Sequence, residues 1–142
     1  MEPWQILLKN GNVSFDNEQW SQAEGYYQQA VSCLESLWLE DLENIKLLMA
    51  WISSFHNLSV LYEVQGKSQI ALHYLLVPHQ RMVQLSQDEY FSDDLHSIAM
   101  QALKVTLMPI LAFSKKYPTC DNCQQSLRKI ELMLEESQPV IH

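Results

Sequence analysis

Cys120 and Cys123, separated by Asp121 and Asn122, are the residues in this chain with the clearest potential for covalent chemistry. A thiol at a helix N-terminus is acidified by the backbone N–H groups around it, which favours the thiolate that disulfide exchange or metal ligation needs. Two cysteines supply two ligands, however, and a structural zinc site takes four. Cys33 and the histidines His56, His73, His79, His96 and His142 would have to complete the set, and none stands at an informative spacing. The βαβ pattern of a thioredoxin-like motif is also missing around the pair. The expectation is two incidental thiols near a helix cap, with a redox or zinc sensor as the alternative.

The other reactive residue types are scattered. The histidines form neither HExxH nor HxH, and Ser53-Ser54 lacks the flanking glycines of a nucleophile elbow. Three glycines in 142 residues leave no loop able to cradle a phosphate. Asp93-Asp94 suit the start of a helix, where the dipole favours negative charge, and Glu135-Glu136 suit a solvated surface. The chain is therefore expected to be non-enzymatic, with no cofactor and no metal.

A hydrophobic fraction of 47% and 10% aromatics argue for a packed core, and the length suits one domain spanning 1–142. The formal charge of −8 opposes binding to nucleic acid or to an anionic membrane surface. No basic leader precedes an apolar run, and no stretch approaches ~20 uninterrupted apolar residues. An odd, sparse set of three cysteines fits a reducing compartment, so a cytoplasmic location is expected.

Few glycines and prolines and few alternating β-branched runs predict an all-α chain. Helical spacing predicts helices over about 3–16, 21–39, 42–65, 67–86, 93–116 and 119–137, with 138–142 as a frayed tail. Ser21 and Glu24 have the spacing of a capping box for the second helix. Gly66 suits the left-handed position after the third, and Ser92 suits the cap of the fifth. Pro78 is expected to interrupt the fourth helix and Pro109 to kink the fifth. Met82, Met100, Met108 and Met133 are expected in ordinary helical core, with a plastic binding surface as the alternative.

Gly11-Asn12, Phe15, Trp20, then Ala23-x3-Tyr27-x2-Ala30 resemble a tetratricopeptide repeat (TPR), a hairpin of two helices. A second, looser copy begins at Asn57-Leu58-Ser59-x2-Tyr62 and continues through Gly66 and Ala71-x3-Leu75. Ala23 and Ala71 are farther apart than the ~34 residues of the usual repeat, so the helices are lengthened. The resemblance implies a right-handed stack of three antiparallel hairpins: a first repeat over 4–38, a second over 42–86, and an atypical third hairpin or cap over 92–137.

The resemblance also implies a function. In TPR proteins the first helix of each hairpin lines a concave groove that takes a peptide or helix of a partner protein. The matching positions here are Gln5, Leu8, Lys9 and Asn12 from the first repeat, and Ser53, His56, Asn57, Val60 and Glu63 from the second. Asn12 and Asn57 match two Asn that in some members clamp a peptide carboxylate, while Leu8 stands where a Lys would be. The plainer expectation is that both Asn make inter-helix hydrogen bonds. The implied role is an adaptor, co-chaperone or assembly factor. A structural homodimer that buries exposed Trp4, Trp38 or Trp51 is an alternative.

Overall fold

The structure is a computed structural model that describes residues 1–118 and residue 125. Five α-helices and no strand occur among the described residues: α1 (Pro3–Asp16), α2 (Trp20–Leu39), α3 (Ile45–Val64), α4 (Ser68–Gln87) and α5 (Asp93–Lys116). The all-α expectation holds. The sixth helix and the Cys120–Cys123 pair fall outside the described residues. The chain divides into two compact units, Met1–Tyr74 and Leu75 onward, with the boundary inside α4.

In the first unit, α1 packs on α2 and α2 on α3. The pairings run antiparallel. Asn12 meets Tyr27 while Phe15 meets Trp20, and Tyr62 meets Glu24 while Trp51 meets Trp38. Ser59 Oγ donates to the Ala71 carbonyl at 2.8 Å, bringing the start of α4 against the end of α3. The core is strongly aromatic. Trp38 stacks on Trp51 with ring centroids 5.0 Å apart, and Phe55 meets Trp51 edge-on at 4.9 Å.

The two hairpin turns are built alike. After α1, the Gln19 N–H bonds the Ser14 carbonyl and the Glu18 N–H bonds the Phe15 carbonyl, both at 2.9 Å. After α3, the Lys67 N–H bonds the Tyr62 carbonyl and the Gly66 N–H bonds the Glu63 carbonyl, at 2.9 and 3.0 Å. Each pair is the Schellman arrangement that satisfies the last carbonyls of a helix. It requires a left-handed residue, and Gly66 supplies φ +76° as expected from the sequence. In the first turn that place is taken by Glu18 at φ 59°, a conformation that disfavours a residue with a Cβ.

The expected capping box at Ser21 does not form. Helix α2 starts one residue earlier, at Trp20, with Gln19 at its cap, and no side chain caps it. The Schellman turn places Gln19 at the cap, so Ser21 lies inside the first turn. Glu24 instead accepts a hydrogen bond from the Tyr62 hydroxyl of α3. A capping box forms at α1, between Glu2 and Gln5. Helix α3 starts at Ile45 rather than Leu42, because Asn44 Oδ1 accepts from the Leu47 N–H and caps it there.

Small residues are where the hairpin needs them. A Cβ on Gly11 would stand 2.5 Å from Cε1 and 2.7 Å from Cδ1 of Tyr27, so the backbone of α1 lies directly on that ring. Tyr27 is only 2% exposed, and its hydroxyl donates to Asn12 Oδ1 at 2.7 Å. Burial, then the charge of Asp16, raises the pKa of this phenol. Gly11→Ala is expected to displace the ring, disturb that hydrogen bond and cost about 1–3 kcal/mol by overpacking. Urea unfolding followed by tryptophan fluorescence measures this, since Trp4, Trp20, Trp38 and Trp51 all lie in the first unit. An unchanged midpoint would mean that the ring has room to move.

In the second unit, Ser92 caps α5 by accepting from the Leu95 N–H, Asp93 and Asp94 occupy its first turn, and Lys115 and Lys116 its last. Helix α4 continues through Pro78 over nearly the expected range, so the proline does not break it. The proline removes the N–H that would have bonded the Tyr74 carbonyl, and the boundary between the units falls just before it.

Candidate functional site

The nine groove candidates fall on two helices. Gln5, Leu8/Lys9 and Asn12 follow helical spacing along α1, and Ser53, His56/Asn57, Val60 and Glu63 do so along α3. Each set therefore lies along one helical face. Both helices pack on α2, and Lys46 at the start of α3 places its ammonium 6.0 Å from the ring centroid of Trp4 at the start of α1.

Their availability differs. Lys9, Asn12, Ser53 and Val60 are exposed, whereas Gln5, Leu8, His56, Asn57 and Glu63 are half-buried. Val60 is 50% exposed. Gln5 is engaged at the start of α1, where its Oε1 accepts from the Glu2 N–H at 2.8 Å. Asn12 makes the inter-helix bond to Tyr27, as the plainer expectation had it. Burial lowers the pKa of His56, so the ring is neutral at pH 7. Its Nε2 is buried with no hydrogen-bond partner among the described residues.

Trp4, Trp38 and Trp51 are 6%, 0% and 0% exposed. This corrects the expectation that they stand free for a dimer interface. Each ring is large enough to be useful inside, and Trp38 also donates its indole N–H to the Leu42 carbonyl at 3.3 Å.

A polar and aromatic network that the sequence did not reveal joins α2, α3 and α4 within the first unit. Tyr62 donates to Glu24, and Gln28 Nε2 donates to the Tyr74 hydroxyl at 2.8 Å. The Tyr62 and Tyr74 rings stack 5.4 Å apart, with Lys67 over the Tyr62 ring at 5.8 Å. Burial, with the Glu24 carboxylate beside it, raises the Tyr62 phenol far above its ordinary range. Tyr62 stays protonated and acts as a hydrogen-bond donor, not as a base or nucleophile. The available signal was Glu24 and Gln28 on one face of α2, one turn apart.

The second unit holds a buried polar pair. His79 on α4 and Thr106 on α5 are both 0% exposed, with His79 Nδ1 and Thr106 Oγ1 2.8 Å apart. Thr106 donates its hydroxyl to the Leu103 carbonyl, so His79 Nδ1–H donates to Thr106 and Nε2 is left as a buried acceptor with no partner among the described residues. Burial pushes the His79 pKa down to about 4. The positions three and four residues from His79 and Thr106 are all apolar and supply no nucleophile. An open concavity of about 370 Å³ at the start of α4, lined by Gly66, Lys67, Ser68, Gln69 and Ile70, likewise gathers no reactive set. Among the described residues, no three His, Cys, Asp or Glu are grouped to hold a metal.

Helix α5 is long and apolar enough to cross a membrane by length and composition, with a mean hydropathy of 1.4. Its buried residues Leu95, Ala99, Ala102, Leu103, Thr106, Ile110 and Phe113 follow helical spacing, which is also the pattern of a helix packed along one face.

A family model described as protein of unknown function, DUF2753, matches residues 2–142. The chain belongs to the DUF2753 family. No curated protein and no solved structure matches it. The match spans nearly the whole chain, so the DUF2753 family embraces both compact units together with the residues that follow α5.

Proposed function

We propose that this DUF2753 protein is a non-enzymatic protein-interaction module, a TPR-like helical repeat that receives a peptide or helix of a partner protein along the faces of α1 and α3. The observation that carries the proposal is the repetition of one hairpin. Both hairpins turn through three residues with the same pair of hydrogen bonds, and corresponding positions keep one interval: Gly11 and Ser59, Glu18 and Gly66, Ala23 and Ala71. A repeated hairpin with a small residue at the close approach is what a helical stack needs in order to grow. The contact of Lys46 with Trp4 fits two first helices lying side by side and running the same way.

The stack in this proposal is right-handed, and it works in the cytoplasm as an adaptor, co-chaperone or assembly factor. Lys9, Ser53 and Val60 are the groove positions offered to a partner. Asn12 is committed to Tyr27, so a carboxylate clamp is not part of the proposal.

Site-specific photocrosslinking tests it. A photoreactive residue at Ser53 should capture one discrete partner from the native host lysate, and the same probe at Gln22, an exposed position on α2, should not. Val60→Asp, placed in the Ser53 probe protein, should abolish the capture while leaving the circular dichroism unchanged. Equal capture from both positions, or capture indifferent to Val60→Asp, would overturn the groove.

A further inference from the structure

The connection between α2 and α3 is a hydrogen-bonded, acidic and apolar edge. Leu37, Leu39 and Ile45 are 39%, 55% and 53% exposed, and Glu40, Asp41 and Glu43 beside them are exposed as well. Along α2, Leu37 and Leu39 are the two large hydrophobic side chains turned to solvent. The rest of its apolar stripe, from Ala23 to Trp38, is buried.

The backbone under this edge is held at several points. The Asp41 N–H bonds the Trp38 carbonyl at 2.9 Å and the Asn44 N–H bonds the Asp41 carbonyl at 3.0 Å. Asn44 Nδ2 donates to Asp41 Oδ2 at 3.0 Å, while the Trp38 indole N–H donates to the Leu42 carbonyl. Trp38 itself is anchored against Trp51. A partner would meet a surface already in its bound shape, with little ordering entropy left to lose.

Charge decides the occupant. Residues 1–74 hold nine acids (Glu2, Asp16, Glu18, Glu24, Glu35, Glu40, Asp41, Glu43 and Glu63) and three bases (Lys9, Lys46 and Lys67), a formal difference of −6. Lys46 follows Ile45 in the chain, and its ammonium is directed to the Trp4 ring. The same edge on a second copy would bring like charges together, and anionic lipid or nucleic acid would be repelled. Aliphatic side chains set among carboxylates match a segment that alternates aliphatic residues with Lys or Arg.

We infer that the α2–α3 edge, Leu39, Glu40, Asp41, Glu43 and Ile45, is a docking surface for a basic amphipathic segment of a partner protein. It meets α3 only at its first residue, Ile45, and uses none of the nine groove residues, so it does not rest on the groove.

A labelled helical peptide of alternating Leu and Lys turns is the probe, with fluorescence anisotropy as the readout and the intact protein as the receptor. Wild type should bind it, and binding should weaken at least tenfold between low and high salt. The triple variant E40Q/D41N/E43Q should lose at least tenfold in affinity. The variant D16N/E18Q/E89Q removes the same charge from exposed positions elsewhere and should lose less than twofold. Leu39→Ser with Ile45→Ser should weaken binding while the salt dependence stays. Equal losses from the two charge-removing triples would show unspecific attraction and overturn the proposal. So would tight binding of a scrambled peptide of the same composition, or a change in sedimentation of E40Q/D41N/E43Q, which would make a second copy the occupant.

Discussion

Trp51→Ala should destabilise the first unit by about 3–5 kcal/mol, the range for truncating a large buried aromatic. Trp51 is fully buried on α3, stacked on Trp38 of α2 and in edge-on contact with Phe55. Removing the indole leaves a cavity between two helices and takes the support from Trp38, which in turn holds the α2–α3 turn through Leu42. A well-packed interior does not close over such a void without moving backbone. Denaturant unfolding followed by the remaining tryptophans gives the value. A loss below about 1 kcal/mol would mean that the α2–α3 contact is not the centre of that unit, since typical single substitutions already cost this much.

Acidification from pH 7 to pH 4 should remove about 3 kcal/mol of stability through His79 alone. The folded pKa is about 4, against 6.5 for the free side chain, and burial is the cause. Above pH 6.5 the ring is neutral in both states and the pair contributes in full. Between 6.5 and 4 the unfolded chain binds a proton that the folded chain refuses, so stability falls as the pH falls, at about 1.4 kcal/mol per unit. His56 is shifted the same way and adds to the loss. The helical neighbours of the pair at three and four residues are Leu75, Leu76, Met82 and Val83 on α4, and Ala102, Leu103, Pro109 and Ile110 on α5. All are apolar and none can compensate an imidazolium. His79→Leu keeps the volume and removes the titration, so its stability measured by circular dichroism should lose most of this slope. A wild-type slope identical to that of His79→Leu would place the histidine in contact with solvent.

Much of the helical scaffold was legible because its signals are local. The 3.6-residue spacing, Pro3 at the start of α1, Ser92 before Asp93, and Gly66 after α3 each act within one turn of the chain. The misplacements have the same origin read in reverse. Ser21 and Glu24 carry a valid capping pattern, but the Schellman bonds from Gln19 and Glu18 start α2 one residue earlier, and Tyr62 claims the Glu24 carboxylate from another helix. Leu42 continues the apolar pattern, yet Asn44 caps α3 after it. Pro78 predicts a break that α4 absorbs without ending.

The candidate groove was legible only as two sets of helical positions. Which members are open to a partner depended on neighbours far along the chain: Asn12 is taken by Tyr27, while Val60 is left out of the core. The tryptophans show the same limit. Their apolar rings predict burial somewhere, against this chain or another, and only the packing of α2 against α3 decides for the former.

By itself the sequence determined the all-α class, the hairpin turns to within a few residues and the acidic balance, because backbone propensity, capping and formal charge are properties of short stretches or of composition. Tertiary structure alone decided that Gly11 lies against the face of Tyr27, that Glu24 serves Tyr62, that His79 is sealed beside Thr106, and that Leu37, Leu39 and Ile45 remain outside. Those outcomes depend on which side chains meet across helices, and burial and pKa follow from that meeting.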